Sequence, residues 1–428
     1  MARRLPWIGA LTVVCAAALW LRLIGLRYGL PAVYNPDEVA IMSRALAFAK
    51  GDLNPHNFLY PTFYFYVLFA WEGLTAIWSV ATGAVASFSA FQQEFFLDPT
   101  RVFVAGRLLT ALLGAATVAA TFALGRRVAG PAAGLIAAIF LAISPLHVRD
   151  SHYVKHDVPV TLLIVLAYLS YVRLMERDDD DGFARTVALP GALTGLAFAT
   201  HYYTIFLAIP LAWSVAQRGR DRADAIKRIV AAGLVAGLVF FALSPFVLLE
   251  PVTAWRDIRA NQQIVVDRAA ATLGYAQTAA HYAVLLWRDT VTWPLMLLAI
   301  AGLVILAASR PRLTLLLLAF PAPFFLFIAG TFPATRYLIP LVPFLALLAS
   351  IPVAAIVRRQ PAAAVAMACL AAALPLRDSI RAALFIRQAD TRTLAQEFVE
   401  RVVPDGRTIL TQAYSAPLTP TADSLHEA

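Results

Sequence analysis

Ten apolar stretches, most of them long enough to cross a bilayer, decide what this chain can fold into. They run over about 7–27, 102–124, 129–146, 158–175, 186–216, 228–249, 290–308, 313–330, 337–357 and 361–376. A transmembrane helix takes about 20 consecutive apolar residues. The stretch 186–216 is longer than one helix needs and carries His201, Tyr202 and Tyr203 at its middle, so it reads as a tight hairpin of two short helices. The expected fold is an all-α polytopic membrane protein of about eleven spans. Composition agrees: 60% of the 428 residues are hydrophobic and 14% charged, against roughly 25% charged in soluble domains. That excludes a soluble globular enzyme, a disordered chain and a disulfide-built scaffold. Cys15 and Cys369 both lie in apolar runs and read as small buried hydrophobes. The net charge of +9 does not call for nucleic acid, because positive charge gathers on cytoplasmic loops. Only Lys50, Lys155 and Lys227 among the 35 basic residues are lysines, which, with the high alanine content, suggests a GC-rich bacterial genome.

The loops set the sidedness. Arg3 and Arg4 precede a first helix without a small-residue cleavage site, which reads as an uncleaved anchor. If 59–85 does not cross, the basic loops Arg126-Arg127, Arg173/Arg177/Arg185, Arg218–Arg228, Arg310/Arg312 and Arg358-Arg359 all share the side of Arg3-Arg4. If it crosses, every later loop inverts and breaks the positive-inside rule. Tyr60, Phe63, Tyr64, Tyr66, Trp71 and Trp78 suit the headgroup region, and Glu72 sits mid-run, where a lipid-facing charge is costly. The stretch therefore reads as interfacial or re-entrant on the outer face. The outer segments are then 28–101, 147–157, 250–289 and 377–428. Residues 1–376 form one membrane domain. The segment from 377 has a helix-like Thr391–Val402, a turn Pro404-Asp405-Gly406 and a strand-like Arg407–Gln412, too little for a core of its own and open to reading as an incomplete α/β domain. The run Asp178–Asp181 reads as a solvated cytoplasmic loop.

Three outer-face constellations could carry chemistry. In Tyr34-Asn35-Pro36-Asp37-Glu38, Asn35 can cap a helix and Pro36 suits its first position, while Glu38 has capping-box spacing. Val39, Met42, Ala45, Leu46 and Ala49 form a stripe that would lay this helix flat on the membrane. The second runs from Ser144 to Asp157 and holds His147, Arg149, Asp150, His152, Lys155, His156 and Asp157. His152 and His156 stand four apart, which suits a metal if the segment is helical, but hydrogen bonding to phosphate or backbone is the plainer reading. The third is Arg336-Tyr337, at the outer end of a span. Arg336 can snorkel to headgroups or grip a phosphate with its guanidinium fork. Arg107, two turns into its span, wants a carboxylate or a ligand phosphate. His201, Tyr202 and Tyr203 are a polar turn or part of the same cavity lining. Together they suit a substrate with an anionic head and a lipid tail.

These segments, with "YPTFYFY", "RLLTALLGAATVAATFALGRRVAG", "LAISPLHVRDSHYVKHDVPVTLL" and "RYLIPLVPFLAL", resemble the GT-C superfamily over most of residues 1–357. Within it, the resemblance is to the protein O-mannosyltransferase and lipid A aminoarabinose transferase branch. It implies a GT-C-like bundle with interfacial helices in the first outer loop and inverting transfer of a sugar from a polyprenyl-phosphate donor to an acceptor hydroxyl of a protein, lipid or glycan on the outer face. It implies Asp37 as general base, Glu38 completing the acid pair as a helper or as a cap, and Asp157 positioning the acceptor or orienting a cation. It implies Lys155, His156 and Arg336 as partners of the donor phosphate, with Tyr337 hydrogen-bonded to it; Arg107 is assigned there too. His152, His201 and Tyr202 are assigned to the cavity lining. The resemblance places the site on the outer face, while loop charge and composition suggest a bacterial plasma membrane with a cytoplasmic N-terminus. The chain departs from the pattern in "YPT", where relatives often carry "PP" with a nearby Lys, and in its short C-terminal segment. Relatives differ in needing a divalent metal, and this sequence shows no clear ligand set. A flippase of lipid-linked sugars and a non-catalytic scaffold remain as alternatives. The catalytic reading requires Asp37, Asp157, Lys155 and Arg336 to converge on one cavity.

Overall fold

The computed structural model describes residues 5–176, 182–272, 274–404, 406–412 and 415–418. Arg3, Arg4, Arg177, the run Asp178–Asp181 and Asp405 lie outside them. Among the described residues the chain is helical throughout, with no strand. The helices are α1 (Leu5–Leu23), α2 (Pro36–Ala47), α3 (Phe63–Ala81), α4 (Phe88–Leu97), α5 (Thr100–Ala129), α6 (Pro131–Ala142), α7 (Pro145–Asp150), α8 (Asp157–Glu176), α9 (Phe183–Phe198) and α10 (Ala208–Ala216). There follow α11 (Arg222–Leu243), α12 (Phe246–Leu249), α13 (Pro251–Thr272), α14 (Tyr275–Leu285), α15 (Trp293–Ser309), α16 (Pro311–Leu318), α17 (Pro321–Ile328), α18 (Val342–Ile356), α19 (Pro361–Phe385) and α20 (Thr391–Val402).

Each expected apolar stretch contains helix, and 186–216 is the hairpin that its polar centre implied. Their lengths differ from the expectation of about eleven spans. Seven described helical segments are long and apolar enough to cross, and an eighth counts if Tyr275–Thr290 and Trp293–Ser309, bent by 112°, are one span. Trp7–Leu23, Pro131–Ala142, Phe183–Phe198 and Tyr202–Ala216 are shorter. One of the seven is α3, inside the stretch expected not to cross. Glu72 is not a lipid-facing charge in it: the side chain is 2% exposed and faces α5 at Gly106.

Small residues set the helix spacing, as expected where lipid supplies no hydrophobic drive between helices. α15 crosses α18 so closely that a Cβ on Gly302 would lie 1.8 Å from the Leu348 carbonyl oxygen. Gly302→Ala is expected to lower stability by about 1–3 kcal/mol, read as a lower Tm in detergent. Gly9→Ala, which meets nothing within 4 Å, should leave Tm unchanged. Where the backbone breaks between α16 and α17, the buried Tyr168 hydroxyl donates to the Leu316 carbonyl (3.1 Å) and accepts from the Phe320 amide (3.0 Å). This satisfies backbone groups that hydrocarbon could not.

The C-terminal segment forms α20 as expected, but 407–412 is not a strand; with no partner strand among the described residues, it has nothing to pair with. Asp390 caps α20, pairs with Arg392 (2.8 Å) and accepts from the Tyr28 hydroxyl (2.9 Å). Arg392 lies 3.9 Å over the Tyr34 ring, and Tyr34 and Thr393 share a 2.6 Å hydrogen bond. The segment is thereby fastened to the loop that leads into α2.

Candidate active site

Asn35 caps α2 as its side chain accepts from the Asp37 amide (3.1 Å), with Pro36 at the first helical position. Successive helical residues point about 100° apart, so Asp37 and Glu38 part company. Asp37 reaches the Lys155 ammonium (3.1 Å) and the Arg336 guanidinium (3.4 Å). Glu38 turns inward and is fully buried. It takes a fork of two bonds from Arg107 (2.9 and 2.8 Å) and a third from the Val154 amide (2.9 Å). Arg107 donates its remaining bonds to the carbonyls of Leu26 and Tyr28, both at 2.7 Å. Two expectations are corrected here. Glu38 is neither a cap nor a cavity acid, and Arg107 is not a phosphate ligand; each fills the other's valences and ties α2 to α5. The expected stripe holds only in part, at Met42, Ala45 and Leu46. The buried face of α2 is Glu38, Ile41, Met42 and Ala45, packed on protein, while Val39 is exposed.

The second constellation divides in the same way. His147 meets Arg22 (2.9 Å), the His152 ring contacts the Val148 carbonyl (2.9 Å), and Arg149 pairs with Asp150 (2.8 Å). His152 is buried away from the cavity expected for it. The chain leaves helix after α7, so His152 and His156 do not share a helical face. It then delivers Lys155, His156 and Asp157, the first residue of α8, to a cavity of about 430 Å³. Arg336 and Tyr337 enter from the 3₁₀ turn Thr335–Leu341. His201, Tyr202 and Tyr203 also line the cavity, and Phe324, Phe327 and Ile328 form an apolar flank. Asp37, Asp157, Lys155 and Arg336 therefore converge on one cavity, as the catalytic reading requires.

Burial pushes the Asp37 carboxyl up. Lys155 and Arg336 outweigh it and, with the Lys155 hydrogen bond, hold the carboxyl below its ordinary range. Asp37 is thus ionised at neutral pH. His156 behaves otherwise. Its ring stacks on Tyr60 (4.5 Å, 13° between planes), and burial, with the Arg44 charge, pulls it down to about 3. A neutral imidazole supplies no charge to a phosphate, which corrects the role expected for His156 and leaves Lys155 and Arg336 as the cations beside Asp37. Burial likewise pushes the Tyr60 phenol up to about 12, so it stays a hydrogen-bonding group. The donor set does not fit a divalent metal. Asp37 already faces two cations, and no three His, Cys, Asp or Glu side chains gather at metal spacing among the described residues.

The sequence reading missed Arg44, Asn261 and Gln262 as cavity residues and took Tyr60 only for the headgroup belt. All four line the cavity. A signal for Arg44 was present: Asp37, Ala40, Ile41 and Arg44 follow i, i+3, i+4, i+7 spacing and share one face of α2. Asn261 and Gln262 come from α13, more than two hundred residues away, and nothing local marks them.

Comparison with known proteins supports the same architecture. Residues 96–248 match the family described as dolichyl-phosphate-mannose-protein mannosyltransferase. No curated protein matches the chain in sequence. The structure of ArnT from Cupriavidus metallidurans bound to undecaprenyl phosphate is similar with a TM-score of 0.62 at 16% identity, over 93% of this chain and 72% of that one. The apo oligosaccharyltransferase of Archaeoglobus fulgidus gives 0.60 at 13% identity, over 97% of this chain and 61% of its own. The oligosaccharyltransferase AglB from the same archaeon, in complex with an inhibitory peptide and a dolichol-phosphate, gives 0.60 at 14%. The chain thus spans about three-fifths of the archaeal enzyme's length. It has the GT-C fold that the sequence resemblance implied.

Proposed function

We propose that this chain is a membrane glycosyltransferase that moves a sugar from a polyprenyl-phosphate donor to an acceptor hydroxyl, with inversion at the anomeric carbon. The observation that carries the reading is the ion triad of Asp37, Lys155 and Arg336, beside Asp157, at the head of a cavity with apolar flanks. Such a cavity suits a charged head joined to a lipid chain. The GT-C relatives were solved with undecaprenyl phosphate and with a dolichol-phosphate. The acceptor oxygen attacks the anomeric carbon as the bond from that carbon to the phosphate oxygen breaks. Asp37 takes the acceptor proton, and the polyprenyl phosphate leaves with the bonding pair. Lys155 and Arg336 stabilise the charge that the leaving phosphate gains. Tyr337, beside Arg336, is the hydrogen-bond partner of that phosphate, and Asp157 holds the acceptor. Without donor, Lys155 and Arg336 sit on Asp37; a bound phosphate shares them and returns basicity to the carboxylate. The site lies outside the cytoplasm of a bacterial plasma membrane, with the N-terminus inside. Residues 1–376 form the transferase domain, 28–101 and 250–289 its outer loops, and 377–428 an outer segment.

Two measurements test this assignment. Undecaprenyl phosphate should raise the Tm of the wild type in detergent and raise it far less in Arg336→Leu; equal stabilisation of both contradicts the phosphate role. The second is the pH profile of kcat/KM. The base must be ionised and its pKa is held low, so the rate persists as pH falls to the ordinary carboxylate range, about 4, and drops below it. Lys155→Met removes one of the influences that lower the Asp37 pKa, so the acid limb should move to higher pH. An unmoved limb would assign it to another group.

A further inference from the structure

The proposed transfer uses one end of the cavity, and a second set of polar groups lines the same cavity without a part in it. Arg44 stands on the Asp37 face of α2, about 10 Å further along the axis at 1.5 Å per residue. Its guanidinium has no ion pair or hydrogen bond among the described residues. Asp257 is near enough to act on it, but the Asp257 oxygens accept from the Phe58 amide (3.1 Å) and from Arg256 (3.0 Å). Lys155 and Arg336, by contrast, both have an ion-pair partner in Asp37. Two further polar atoms of cavity-lining residues are buried without partners among the described residues: Nε2 of His156, a residue 2% exposed, and the hydroxyl of Tyr202. Both residues line the cavity; His156 lies in the field of Arg44, and Tyr202, like Arg44, in that of Asp257. Asn261 commits its amide NH₂ to the Leu59 carbonyl (3.1 Å), and Gln262 beside it completes the wall. An unpartnered guanidinium in one cavity with unsatisfied buried polar atoms is a poor arrangement for an empty wall and a good one for a bound anion.

We infer that Arg44, His156 and Tyr202 form a second subsite that binds an anionic group, a carboxylate or phosphate, carried by the transferred sugar or by the acceptor. The inference rests on the glycosyltransferase reading, because it takes Lys155 and Arg336 to hold the donor phosphate and so leaves Arg44 for another charge. The guanidinium fork suits either anion, and His156 and Tyr202 add hydrogen bonds from the same cavity.

The test uses the full chain in lipid nanodiscs and two matched pairs of probes. Glucuronyl and glucosyl undecaprenyl phosphate compete against labelled undecaprenyl phosphate, and octyl glucuronide and octyl glucoside are titrated for thermal stabilisation. Wild type should prefer the acidic member of at least one pair by about 10- to 100-fold, the range expected for a hydrogen bond to a charged group. The pair that shows the preference identifies whether sugar or acceptor carries the anion. Arg44→Gln should abolish the preference, and Arg44→Lys, which keeps the charge without the fork, should keep part of it. No preference in wild type, or a preference unaltered in Arg44→Gln, overturns the subsite. Failure of labelled undecaprenyl phosphate to bind at all, or binding indifferent to Arg336→Leu, would instead sink the transferase reading, while the octyl glycoside arm still decides the anion site by itself.

Discussion

Asp37→Asn lowers the rate of sugar transfer by about 10²- to 10⁴-fold, the usual contribution of a positioned general base, while the protein stays folded. The substitution keeps side-chain shape, and the helix start does not depend on the carboxylate, because Asn35 provides the cap. What is lost is the proton acceptor. Donor affinity should change little or rise, since Lys155 and Arg336 no longer share their charge with Asp37. A fall in kcat with donor affinity retained is the signature expected, from single-turnover rates and undecaprenyl phosphate binding on the same preparation. A loss of affinity with kcat unchanged would make Asp37 a binding residue instead.

The largest stability effect is expected at Arg107, whose neighbourhood the sequence suggested was a ligand site. Arg107→Leu leaves the Glu38 carboxylate buried with only the Val154 amide and leaves the Leu26 and Tyr28 carbonyls without their donor. Breaking one side of a buried pair costs about 3–5 kcal/mol, enough to remove most folded protein from the membrane fraction. Replacing both partners, Glu38→Leu with Arg107→Leu, should recover much of that loss, because no buried charge remains. If Arg107→Leu is stable but inactive, Arg107 acts on substrate and the pair is not structural.

These two residues show what the sequence could and could not convey. The order and residue chemistry of the segments were legible: the capped start of α2, the triplet Lys155-His156-Asp157 and Arg336 all reach one cavity. Facing was not. Asp37 and Glu38 are neighbours in sequence and look like one acid pair, yet the helical turn sends one to the cavity and one to the core. Arg107 stayed open between a carboxylate and a phosphate because its partner lies 69 positions away. His156 looked like a cation because its burial under Tyr60 is a tertiary fact. In the fold, hydropathy located the helices well but not their lengths, since breaks such as the one between α16 and α17 are stabilised by distant groups like Tyr168. The strand expected over 407–412 failed for a related reason: a strand needs a partner, and local β propensity does not supply one.

The central claim is best tested by following label. Wild type and Asp37→Asn, matched for folded protein in membranes, would be supplied with a panel of radiolabelled polyprenyl-phosphate sugars, and the lipid, protein and glycan fractions counted. The account predicts that wild type moves label from one donor class into one fraction and that Asp37→Asn does not. Transfer from no donor, or transfer that ignores the loss of the Asp37 carboxylate, would contradict it.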